Sequence, residues 1–204
     1  MVKFRTMLVA NGYEPGSANR DRILRRWRTT TNYQRDVIQY VFRPGYQSAR
    51  MKEIHANLPS FYNLTFGELV EALAVAETDI EIREPLMQLQ LALEAAFPND
   101  RDLTRLSAQT YRQSAEDWAA VYERIARDYG LTFHTDRGYN FLDLAHMFNA
   151  VVEGAYMRRA SDPQVGTLSD GSHISVKIIQ AILAEATGLT WAELSIKRVK
   201  AQHS

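Results

Sequence analysis

Residues 99–130 read NDRDLTRLSAQTYRQSAEDWAAVYERIARDYG, and this stretch decides the fold class. Leu103, Leu106, Trp118, Val121, Tyr122, Ile125 and Tyr129 follow the three- and four-residue spacing that keeps side chains on one face of a helix. Asn99-Asp100 precedes the first of them, where a side-chain oxygen accepts the free N–H groups of a first turn. Gly130 follows the last, where a left-handed residue closes a helix. One long helix with both ends marked is predicted, and alternation of period two is nearly absent from the rest of the chain.

On the N-terminal side of this helix, residues 83–97 are rich in Leu and Met and start near Pro85, which a first turn tolerates. Residues 65–77 place Phe66, Leu69, Val70, Leu73 and Ala74 inward, and a weaker helix is expected over 49–58. The Thr29-Thr30-Thr31 cluster starts another helix, with Tyr33, Val37, Tyr40 and Val41 on one face and Pro44-Gly45 as its stop. Further back lie a segment from Ser17 or Asn19 through Ile23, Leu24 and Trp27, and a short apolar one over 2–10. On the C-terminal side, residues 140–159 carry Phe141, Leu144, Ala145, Phe148, Val151, Val152, Ala155 and Tyr156 on one broad face. Residues 172–187 carry Ile174, Ile178, Ile179, Ile182 and Leu183 after a polar loop at 162–171, and residues 195–204 are expected to fray. The class expected is all-α.

The formal net charge of zero conceals a division. Residues 1–58 hold eleven Lys/Arg against four Asp/Glu, which leaves thirteen against twenty in the remainder. An imbalance of this kind points to a nucleic-acid partner for the basic part, or to a solvated basic face. With no cysteine, disulfides and thiolate metal sites are excluded, which suits a reducing cytoplasm. No stretch approaches the roughly 18 apolar residues of a membrane span, and residues 1–10 lack a signal-peptide core, so a soluble cytoplasmic chain with no membrane partner is expected.

The motifs of common catalysis are missing. No two glycines stand one residue apart, and there is no phosphate loop, H-E-x-x-H or G-x-S-x-G. The five histidines are never closer than twelve residues, so no helical zinc pair exists. Asp143 and His146 share a helix face at i, i+3, a spacing that serves capping far more often than acid–base chemistry. No enzyme, cofactor or metal is expected.

The sequence FLDLAHMFNAVVEGAYMRR at 141–159, the Asp-Pro loop after it and the apolar helix from Ser172 resemble the C-terminal half of TetR-family transcriptional regulators. Trp118, Val121-Tyr122, Ile125-Ala126 and Tyr129-Gly130 resemble the helix that leads into it. The opening FRTMLVANGY at 4–13 is similar to the family's first helix, and Thr31-Asn32-Tyr33 with Tyr40-Val41-Phe42-Arg43-Pro44 stand where a reading helix starts and ends. The N-terminus diverges from the pattern: Gly12 to Phe42 is longer than usual, the tight Ala-Gly turn is missing, and Arg20, Arg22, Arg25, Arg26 and Arg28 crowd the segment before it.

The resemblance implies a helix-turn-helix-like domain over 1–58 and a larger antiparallel helical domain over 59–204 that binds a ligand and dimerises. It implies a ligand-responsive, DNA-binding regulator that forms a homodimer through 140–159 and 172–187. On double-stranded operator DNA, Thr30, Thr31, Asn32, Tyr33, Gln34 and Arg35 would present the reading face, with Arg25, Arg26, Arg28 and Lys52 on phosphates. A small hydrophobic effector would meet Phe97, Tyr111, Trp118, Tyr122, Met147, Phe148 and Met157. The alternative is a helical protein that binds a small molecule or a partner and whose degenerate N-terminus does not touch DNA.

Overall fold

The computed structural model describes residues 26, 29–43, 51–52, 54–83, 85–162 and 166–200. The helices expected over 2–10 and 17–28, apart from Arg26, lie outside the described residues, as does Pro44-Gly45. Among the described residues the fold is all-helical, without a strand, and its only sheet-like pairing is an isolated bridge between Thr167 and His173. The α-helices are α1 (Thr30–Val41), α2 (Phe66–Arg83), α3 (Pro85–Ala96), α4 (Arg101–Tyr129), α5 (Phe141–Ser161), α6 (Ile174–Thr187) and α7 (Trp191–Ser195). Short 3-10 turns occupy Leu58–Phe61 and Thr135–Arg137.

Local chemistry sets the ends of these helices. The Thr29 hydroxyl accepts from the Asn32 N–H and opens α1. Thr65 and Glu68 bond reciprocally at the head of α2, the Glu68 N–H to the Thr65 hydroxyl at 3.3 Å and the Thr65 N–H to the Glu68 carboxylate at 2.7 Å. Asp100 accepts from the N–H groups of Asp102 and Leu103 at 3.0 and 2.9 Å and starts α4. Asn140 does the same for Asp143 at the start of α5. At the far end of α4, Gly130 adopts φ 64°, and its N–H meets the carbonyls of Ala126 and Arg127. A side chain there would also collide with Lys200, which crosses over it. We expect Asp100→Ala to lower stability by about 1 kcal/mol, because two N–H groups lose their acceptor. A thermal melt within error of the wild type would contradict that role.

Packing divides along α4, whose 29 residues span roughly 43 Å. Its first turns, at Leu103 and Leu106, join a small cluster with Ile38 and Val41 of α1, Phe42 just after it, and Leu86 and Leu93 of α3. From Ala115 to Tyr129 it belongs to the main core, where Leu69 of α2, Leu144 and Phe148 of α5 and Val176, Ile179 and Leu183 of α6 meet. Met51 and Leu58 are buried in that same core, so apolar packing runs without a break across residue 58.

One sequence expectation changes. Residues 195–200 are tied down, not frayed: the Phe66 N–H donates to the Lys197 carbonyl, the Lys200 N–H to the Asp128 carbonyl and the Arg198 guanidinium to the Asn63 carbonyl. Leu194 is fully buried, and a Thr190–Glu193 capping box starts the short helix that carries it. Within α6, Ile179 faces the core of its own chain, and Ile178 is the residue that stays 40% exposed. Ile179 therefore packs within its own chain.

Candidate functional site

α4 carries an interruption on its inward face. Between apolar Leu103 and apolar Trp118 the buried side presents Ser107, Thr110, Tyr111 and Ser114. These residues look toward α3 and α5, which answer with polar groups at equivalent depth. Gln90 of α3 is only 4% exposed. The Glu94 carboxylate accepts from Ser107 Oγ at 2.5 Å, Tyr111 Oη at 3.1 Å and Gln90 Nε2 at 3.3 Å. Glu153 of α5 faces the same region, and burial, then the nearby Glu94, raises its pKa from 4.5 to about 7.

This polar cluster closes one end of a cavity. The cavity has a volume of about 100 Å³ and is partly open to solvent. Its body is apolar, built from Phe66, Leu69, Val70 and Leu73 of α2, Met87 of α3, Leu144, Phe148 and Val152 of α5, and Ile179 and Leu183 of α6. An aromatic wall runs along it. Trp118 stacks on Tyr122 with centroids 5.4 Å apart, and Tyr122 meets Phe148 edge-on at 5.2 Å. Glu77 and Asn149 complete the lining, which includes no Lys, Arg or His among the described residues.

Several polar groups face the cavity. Burial, then the charge of Glu77, holds the Tyr122 hydroxyl above the ordinary tyrosine range. Neither it, nor the Asn149 amide, nor the Glu153 carboxyl has a hydrogen-bond partner among the described residues. These groups are half-buried and open to the cavity, where they can bond water or a ligand.

Of the residues expected to meet a ligand, Tyr111, Trp118, Tyr122 and Phe148 line the cavity. Phe97, Met147 and Met157 do not. Phe97 follows the end of α3 at 36% exposure, and Met157 lies one residue beyond inward-facing Tyr156, which rotates it to a 59% exposed face. Met147 packs on the main core beside the cavity without reaching it. Sequence reasoning passed over Glu77, Gln90, Glu94, Asn149 and Glu153. A signal existed: Asn149 and Glu153 stand four and eight residues after Ala145, beside the apolar face of the same helix.

The residues expected at DNA are only partly described. Arg25 and Arg28 lie outside the described residues, and Thr30 is the first residue of α1. Thr31, Asn32, Arg35 and Lys52 are exposed, whereas Tyr33 and Gln34 are half-buried. Arg26 approaches Asp36 at 3.9 Å, a pair exposed enough to exchange freely. Thr31, Gln34 and Arg35 share a surface cleft with Asp100, Asp102 and Arg105 at the head of α4, so two carboxylates stand close to part of the expected reading face. Asp143 bonds with Asn140 as a helix cap, and His146 is exposed.

Among the described residues no group of three His, Asp or Glu could hold a metal ion, and no helix is long and apolar enough to cross a membrane. Comparison with protein-family models, curated proteins and solved structures finds no match.

Proposed function

We propose that this protein binds a small amphipathic molecule in the cavity between α2, α3, α4, α5 and α6 and works as a ligand-responsive regulator. The observation that carries this reading is the cavity itself, apolar along an aromatic wall and polar at one end, where hydrogen-bonding groups lack protein partners.

The position of α1 supports the regulatory half. Val41 of α1 and Phe42 just after it border a narrow cleft with Met87, Gln90 and Thr110, and those last three residues also line the main cavity. A ligand that shifts the α3 and α4 walls would therefore press on the seat of α1, a two-state bias of the kind that couples distant sites by about 1–3 kcal/mol. With Thr31, Asn32 and Arg35 on its exposed side, α1 offers hydroxyl, amide and guanidinium groups suited to base edges. The outer face of α6, with exposed Ile178 and Ala181 beside half-buried Ile174 and Ile182, offers a surface for a second copy. The TetR-like reading of the sequence agrees with this division of labour.

A second reading rests on the carboxylates of Asp100 and Asp102 beside Arg35: a ligand-binding protein whose α1 meets no DNA. Gel shift on DNA upstream of the gene, at two salt concentrations, separates the two. For a regulator, Arg35→Ala relaxes sequence preference by about 1–3 kcal/mol. Arg26→Ala weakens all DNA alike and lowers the salt slope by about one. If neither substitution changes retention, the regulator reading is abandoned for the second.

A further inference from the structure

Three kinds of molecule fit an apolar tunnel of this size, and they differ in the charge they bring to its polar end. An anionic amphiphile would set its charge beside Glu153 and Glu94, with no Lys, Arg or His among the described lining residues to neutralise it. A neutral apolar molecule would fill the body and cover the half-buried Glu153 carboxyl without giving it a hydrogen-bond donor. A cation answers both problems. An ammonium group supplies donors for the Glu153 carboxylate. The stacked faces of Trp118 and Tyr122 attract positive charge through their ring quadrupoles.

We propose that the cavity takes a hydrophobic amine, its ammonium head paired with Glu153 and its alkyl or aryl body against Trp118, Tyr122 and Phe148. This rests on the ligand-binding reading above and adds the chemical class of the ligand. Glu153 is the selecting group, because Glu94 already accepts from Ser107, Tyr111 and Gln90, whereas Glu153 has its hydrogen-bonding capacity unspent. The geometry also orders the head and tail: the head goes between α3, α4 and α5, and the tail points toward Leu144, Ile179 and Leu183.

The test uses three probes that share one body: 4-phenylbutylamine, 4-phenylbutanol and 4-phenylbutyrate. Each is titrated into the full chain by calorimetry, alongside the Glu153→Gln variant. The amine is expected to bind at least about tenfold more tightly than the alcohol, with the carboxylate weakest. Glu153→Gln should bring amine and alcohol to within about threefold of each other and leave alcohol binding as it was. If the alcohol or the carboxylate equals the amine on the wild type, or if the variant keeps the preference, the amine proposal is overturned while the ligand-binding reading stands. If none of the three binds at millimolar concentration, the ligand-binding reading falls and takes the amine with it.

Discussion

Ile179→Glu is expected to unfold the chain as a monomer, with a loss of at least about 4 kcal/mol. Removing a buried isoleucine costs about 2–5 kcal/mol by itself, and the new carboxylate must then be desolvated against Leu144, Phe148 and Leu183. Total stability in domains of this size is about 5–15 kcal/mol, so little would remain. Ile178→Glu, one residue away, is the control. At 40% exposure it should change monomer stability by less than about 0.5 kcal/mol, and only association between copies should respond. Thermal melts by circular dichroism read the first effect and sedimentation the second. An Ile179→Glu protein that melts within a few degrees of the wild type would show that α6 does not close the core.

The other large effect depends on pH. Burial, aided by Glu94, raises the Glu153 pKa from 4.5 to about 7, so the fold favours its protonated form. A raised pKa contributes stability that is complete below the unfolded value and lost as pH climbs through the folded one. From about pH 4.5 to about pH 7, then, the wild type gives up stability that an un-ionisable side chain would keep. Glu153→Gln should therefore match the wild type near pH 4.5 and exceed it near pH 8, by at most about 3 kcal/mol. The part of the carboxyl open to the cavity reduces that figure. Urea melts of both proteins at the two pH values measure the difference directly. An unchanged gap between the variants at the two pH values would mean that Glu153 is solvated and not enclosed. A bound amine would shrink the gap as well, since it supplies the counter-charge that the protein withholds.

What could be read from the sequence followed from how local each signal was. Asp100 and Gly130 act within one turn of their own helix, and each stands where its type and position indicated. Tyr111, Trp118, Tyr122 and Phe148 were accessible because aromatic residues at helical spacing must face something. The polar end was harder to see. Gln90, Glu94 and Glu153 come from helices whose relative rotation no periodicity specifies, and only packing brings them together. The same limit applies to α7 and the residues after it, where Leu194 and Val199 are too few to form a pattern and their contacts lie far away in the chain.

Those contacts bear on how the protein is made. Arg198 closes on Asn63 across 135 residues, and Lys197 supplies the acceptor that the first N–H of α2 needs. Translation releases α2 early and the 190–200 segment after every other described element. Until that segment leaves the ribosome, Gly67 lacks the Ser195 backbone against which it packs, and the cleft that Leu194 fills stays open to water. The nascent chain must therefore carry α2 to α6 with an unsealed seam, held together by contacts that form late and over long distances. A chain without residues 193–200 would leave the α2 end of the core unsealed, a product fit for proteolysis more than for binding.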